Sequence, residues 1–196
     1  MSVASVARLV SVLFGAEVSE TLMPGYCASK SLIRTCRTST PLVLIGLASS
    51  RSASLGRRAP ELPRQRLSGP EVTLRGLLAH GSGRALLVTF WASWCGPCAS
   101  EAPALETFAT SAAGRGRLVG VDWSDPVLSD ARAFVKRYAW TFPNLRDPEG
   151  TVGTRYHLTG LPTTFAIDAD GRIVGVLRGP QSQASLQRTL VAASHA

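Results

Sequence analysis

The 196-residue sequence predicts an α/β domain, a sheet flanked by helices, over residues 59–196, behind a leader and linker over residues 1–58. Three observations carry that reading. Leu86-Leu87-Val88-Thr89-Phe90 is a short, bounded run of strand formers, as expected of a strand buried on both faces. It runs straight into Trp94-Cys95-Gly96-Pro97-Cys98, and the residues that follow have helical spacing, with Leu105, Phe108 and Ala109 on the face turned to the sheet. Strand-like and helix-like segments then alternate to the end of the chain, the pattern of one layered core.

The elements follow in order. Pro60, Pro63 and Pro70 keep the entry of the domain out of a regular helix. Glu71 to Leu74 alternates as a strand does, and Arg75 to His80 reads as a short helix before Gly81-Ser82-Gly83. The helix after Cys95 is expected to run to about Ala113, with a kink at Pro103. Arg117 to Trp123 is the next strand. Asp125-Pro126 then reads as an N-cap followed by Pro at the first helical position, opening a helix with Val127, Ala131, Phe134, Val135 and Tyr138 on one face. Phe142 to Arg146 is a short strand, Asp147 to Gly150 a turn, and Val152 to Leu158 a small helix on which His157 reads as a surface residue. Thr163 to Asp168 and Arg172 to Arg178 form a hairpin about Asp170-Gly171. Ser182 caps a closing helix whose apolar face is Leu186, Leu190 and Val191.

The formal charge of +8 is uneven: residues 1–58 hold seven Lys or Arg against two Glu, and residues 59–196 hold fourteen against eleven acids. The domain's arginines are scattered among acids instead of clustered with aromatics, which argues against nucleic-acid binding. No acidic residue lies between Glu20 and Glu61, a targeting composition. Within that stretch Lys30, Arg34 and Arg37 precede the apolar run Pro41 to Ala48, and small residues follow it, the order of a secretory signal. The run is short of the roughly 20 apolar residues that span a bilayer. It sits deep for a signal counted from Met1, and a start at Met23 restores normal spacing. An organelle transit peptide is the alternative, and membrane association of the N-terminal segment is a further expectation.

A Cys-x-x-Cys pair suits disulfide exchange, which needs an attacking thiolate and a second thiol to resolve the mixed disulfide. A helix opening at Cys95 turns its free N–H groups and positive dipole end toward that sulfur, favouring thiolate. Cys98, one turn on, is the resolving thiol and the more buried of the two. Half of a zinc site has the same spacing, but no second pair follows, and Cys27 and Cys36 lie far upstream. No metal and no cofactor beyond the redox-active Cys95–Cys98 pair is expected.

Trp94 to Cys98, together with Glu101-x-Pro103 and Gly160-Leu161-Pro162-Thr163-Thr164, resembles the thioredoxin superfamily, in particular its exported TlpA, ResA and CcmG-like branch. The resemblance covers about Ala59 to Ser194. It implies a thioredoxin-like fold, a central mixed sheet flanked by helices with an N-terminal hairpin extension. It also implies that Gly96 and Pro97 complete the redox motif and that Pro162 is a cis proline facing the disulfide. Trp94, Leu161, Pro162 and Thr163 would then meet the client, with the Leu161 backbone pairing to it as an added strand does. Where thioredoxin carries a buried Asp six residues before the first cysteine, this chain has Thr89, which cannot act as a carboxylate base. Glu101, three residues after Cys98, is implied to manage that cysteine's proton; a solvated helix glutamate is the other reading.

The expected activity is therefore that of an extracytoplasmic thiol-disulfide oxidoreductase, on the periplasmic or cell-envelope side. It would reduce client proteins of cytochrome c maturation or copper-site assembly and be recharged by a membrane thiol donor. A monomeric domain is expected. The alternative is a module that holds a thiol client or copper ion through Cys95 and Cys98 without turnover. Nothing resembles the Thr-x-x-Cys of peroxiredoxins.

Overall fold

A computed structural model describes residues 53–80 and 84–196. The leader expectations for residues 1–52, and with them Cys27 and Cys36, lie outside the described residues. Eleven elements are described: β1 (Gln65–Ser68), α1 (Leu74–His80), β2 (Leu86–Trp91), α2 (Gly96–Thr110), β3 (Leu118–Trp123), α3 (Leu128–Arg137), β4 (Asn144–Asp147), α4 (Thr151–Arg155), β5 (Thr163–Ile167), β6 (Ile173–Arg178) and α5 (Gln183–Ala193).

The strands form one mixed sheet in the order β1-β4-β3-β2-β5-β6. β2, β3 and β4 run parallel, and β1, β5 and β6 pair antiparallel to their neighbours. β2 is central and buried at all six positions, as its unbroken apolar run requires. Alternation along it divides the core. Leu87 and Trp91 face Ala102, Leu105, Phe108 and Leu186, whereas Val88 and Phe90 face Leu74, Val152, Tyr156 and Phe165. On the first side Trp91 stacks on Phe134 at 4.9 Å and meets Trp140 edge-on at 4.9 Å.

Several expectations change at the entry. Among the described residues no N-terminal hairpin forms; the strand lies earlier than Glu71–Leu74, at Gln65–Ser68, and pairs with β4 at the sheet edge. Leu74 instead opens α1, because the Thr73 hydroxyl accepts the Gly76 N–H at 3.0 Å and Glu61 Oε1 accepts the Leu74 N–H at 2.7 Å, both helix-start bonds. The linker expected up to Arg58 already belongs to the folded chain at its end: Ser54 is buried and donates to the Tyr156 carbonyl at 2.6 Å, and Arg58 bridges to Arg172.

Further along, α2 ends at Thr110 and stays helical through Pro103. α3 begins at Leu128 and leaves Val127 exposed, so Asp125 is not its cap. His157 falls just past α4 with φ 54° and is exposed. Gly171, with φ 77°, makes the β5–β6 turn that a side chain would strain. Ser182 caps α5 through the Ser185 N–H at 3.2 Å, and Val191 lies on the exposed side of that helix.

Candidate active site

β2 ends at Trp91, and after three intervening residues the chain enters α2 with Cys95 as its N-cap, in extended conformation (φ −85°, ψ 103°). Cys95 Sγ accepts the Cys98 N–H at 3.1 Å, the bond a capping oxygen would make, so helix-start donors point at this sulfur. Pro97 sits in the first turn, where its missing N–H costs nothing. Cys95 and Cys98 are joined as a disulfide, and Cys98 is the more deeply buried, at 1% against 5%. Gly96, Pro97 and Trp94 are exposed beside them, Trp94 at 58%.

The second half of the site comes from β5. Its antiparallel register sets Thr163 beside Phe90, so the Leu161–Pro162 step lies at the same end of the sheet as the cysteines. That peptide bond is cis. The Pro162 carbonyl accepts the Gly179 N–H at 2.9 Å, and the Thr163 hydroxyl donates to the Gly160 carbonyl at 2.7 Å, which hold the loop. Leu161 is half-buried and Thr163 buried.

Glu101 is not solvated: it is 2% exposed on α2, one turn beyond Cys98. Its Oε1 accepts the Gln181 N–H at 3.1 Å, and its Oε2 is buried without a protein partner. Burial pushes its carboxyl from 4.5 up to about 7, against the smaller opposite pull of the Gln181 N–H. Thr89, where thioredoxin has its Asp, is fully buried and paired in register with Thr164, and neither hydroxyl has a protein partner.

Sequence reasoning missed a second polar group behind the reactive loop. Asp125, 1% exposed, accepts the Ser93 N–H through Oδ2 at 2.7 Å and the Val127 N–H through Oδ1 at 3.4 Å. Its own carbonyl accepts from Arg146 Nη2 at 2.7 Å, and Arg146 Nε pairs with Asp122 at 3.3 Å. A carboxylate spent on tying Ser93, two residues before Cys95, explains why it does not cap α3. Asp122, fully buried, is pushed from 3.8 up to about 7, first by burial and then by Asp125, with Arg146 opposing. The signal available beforehand was two acids at the C-terminal end of a buried parallel strand, where α/β sheets place their sites.

The arrangement joins a helix-start sulfur, a buried second sulfur, a carboxyl titrating near neutrality and a cis-proline loop. That is the equipment of thiol-disulfide exchange with proton management. Among the described residues no cluster of three or more His, Cys, Asp or Glu is placed to hold a metal ion.

Comparison with known proteins agrees. A family model described as the AhpC/TSA family matches residues 55–176. The thiol-disulfide oxidoreductase ResA of Bacillus thuringiensis subsp. konkukian is 28% identical over 69% of this chain and 76% of that protein. The crystal structure of a thiol:disulfide interchange protein of the thioredoxin family from Chlorobium tepidum matches with TM-score 0.59 and 30% identity, over 69% of this chain and 94% of that one. That of a secreted Mycobacterium tuberculosis disulfide oxidoreductase, homologous to Escherichia coli DsbE, matches with TM-score 0.54 and 26% identity, over 67% and 95%.

Proposed function

Since the chain belongs to the AhpC/TSA family, within which it is similar to proteins named for thiol-disulfide exchange, we propose that it is an extracytoplasmic reductant of client-protein disulfides. Cys95 and Cys98 carry the exchange. The observation that supports this most directly is the cap geometry: Cys95 receives the helix-start N–H of Cys98, while Cys98 lies deeper, one helical turn before the buried Glu101.

In the reduced protein the Cys95 thiolate attacks one sulfur of the client disulfide. A Cys95–client mixed disulfide forms as the client S–S bond breaks, and the other client sulfur leaves as a thiolate that takes a proton from water. Cys98 then gives its proton to Glu101 and attacks Cys95 Sγ, which forms the Cys95–Cys98 disulfide, breaks the bond to the client and releases the second client sulfur as a thiolate that takes up the proton held on Glu101. Two electrons pass to the client, and a membrane thiol donor restores the dithiol. Trp94, Leu161, Pro162 and Thr163 border the client, the Leu161 backbone pairing with an extended segment of it.

Gly96-Pro97 and the Glu-x-Pro sequence resemble the reducing members of this branch, which supports the direction. The basic, apolar, small order of residues 30–50 and the secreted state of the mycobacterial relative support the location. No helix among the described residues is long and apolar enough to cross a membrane. Clients of cytochrome c maturation or copper-site assembly are the expected class.

The test uses a haem-attachment peptide carrying a Cys-x-x-Cys disulfide. The reduced full chain should reduce it repeatedly when supplied with a thiol donor. Cys98→Ser should stop at a mixed disulfide through Cys95, and Cys95→Ser should do neither. Stoichiometric capture without turnover by the unaltered chain would overturn the reductase reading in favour of a holding module.

A further inference from the structure

Arg84, Arg115 and Arg117 line one open cleft of about 620 Å³, together with Glu71 and the apolar Val72 and Leu77. Arg117 is half-buried and held in place, its Nε donating to the Ala85 carbonyl at 2.7 Å and its Nη2 to Ser194 Oγ at 3.0 Å. Both partners are neutral. Among the described residues none of the three guanidiniums forms an ion pair. Burial and, after it, the neighbouring Arg84 lower the Arg117 pKa, so an anion beside these two guanidiniums would relieve their repulsion.

The cleft lies at the end of the sheet opposite the cysteines. The Arg117 carbonyl accepts the Leu87 N–H at the start of β2, and Arg115 follows the last turn of α2, whereas Cys95 precedes its first. A six-residue strand separates the two ends by roughly 20 Å. The chain also enters the domain at this far end: the Gly56 N–H donates to the Ile173 carbonyl and the Ala59 N–H to the Gly171 carbonyl, both at 2.8 Å, beside the β5–β6 turn. Arg57 and Arg58 arrive with it, and the sequence before them carries the apolar run of residues 41–48.

We propose that this pole is a docking face for an anionic lipid surface, with Arg84, Arg115 and Arg117 taking a headgroup phosphate and Val72 and Leu77 flanking the glyceride. Guanidiniums match phosphate oxygens in a fixed fork, and each basic side chain near an anionic bilayer adds to attraction over a Debye length. This docking requires neither cysteine, so failure of the redox reading leaves it standing, and the reverse.

The full chain, with its arginine side chains labelled for NMR, is titrated with dihexanoyl phosphatidylglycerol below its micellar concentration, with the matching phosphatidylcholine, and with inorganic phosphate. Shifts of the Arg84, Arg115 and Arg117 Nε–H signals by the phosphatidylglycerol, exceeding those from equimolar phosphate and absent with phosphatidylcholine, support the proposal. Equal shifts from inorganic phosphate alone, or none, overturn it. Partition of the full chain onto phosphatidylglycerol vesicles should fall on the order of 100-fold in the R84Q/R115Q/R117Q variant. The R84Q/R115Q pair spares the Arg117 contacts and should still lose about 20- to 30-fold while keeping disulfide-reduction turnover. Unchanged partition of both variants overturns the proposal.

Discussion

Replacing Glu101 by Gln removes a buried charge while leaving an oxygen to accept the Gln181 N–H, a bond of 3.1 Å in the native chain. Two consequences can be worked out. The carboxyl sits at about 7 in the folded protein against an ordinary 4.5. Between those values the folded state holds the proton more tightly than the unfolded one, so stability is fullest below about pH 4.5 and declines until pH passes about 7. At about 1.4 kcal/mol per pH unit, that interval costs the native chain about 3 kcal/mol. Asp122, raised from 3.8 to about 7, loses stability in the same direction in both proteins. The informative quantity is therefore the difference between variant and native chain. Urea unfolding of the oxidised forms should show Glu101→Gln gaining up to about 3 kcal/mol on the native chain between pH 4 and pH 8. Turnover should move the other way. Without an acceptor for the Cys98 proton, resolution slows by a factor within roughly 10²–10⁴, and the fall in native rate below about pH 7 disappears. With the carboxylate's repulsion gone, the Cys98 thiol should ionise at lower pH. Parallel stability curves together with unchanged turnover would refute the assigned role.

Asp125→Ala should leave the Ser93 N–H, now bonded at 2.7 Å, without its acceptor, and cost about 1–3 kcal/mol in urea unfolding. Alkylation of Cys95 should change rate in that variant, and Asp125→Asn, which keeps one acceptor oxygen, should restore most of the loss; a change under about 0.5 kcal/mol would sink the account. Gly120→Ala places a Cβ 2.0 Å from Asn144 Oδ1, the atom that accepts the Trp91 N–H at 3.1 Å. Thermal unfolding should show a loss of about 1–3 kcal/mol, and an unaltered midpoint would mean that β4 yields freely at Asn144.

The redox pair was legible because its meaning is local. An apolar strand ending in Cys-x-x-Cys at a helix start places both sulfurs by short-range geometry, and the chain closes Cys95 to Cys98 there. Secondary structure rich in local signals was equally readable: β2, α2, the β5–β6 hairpin and the Ser182 cap stand close to where spacing and capping residues put them. Glu71 to Leu74 misled because Val72 and Leu74 alternate as strand residues do, while the bond that starts α1 comes from Glu61, thirteen residues away.

Sequence by itself determined the chemistry available: which sulfurs, which proline, which acids, and in what order along an α/β chain. Tertiary structure decided how those acids are buried and bonded. Glu101 is a buried residue and not a solvated helix glutamate, and its backbone partner comes from the segment before α5, eighty residues downstream, whose Gln181 N–H donates to it. Asp125 became an anchor for Ser93 instead of a helix cap because folding brought a loop from another strand within 2.7 Å of its carboxylate. Spacing along a chain sets a side chain's direction on its own element, but desolvation and long-range hydrogen bonds depend on what folds over it, and those set its pKa and its role.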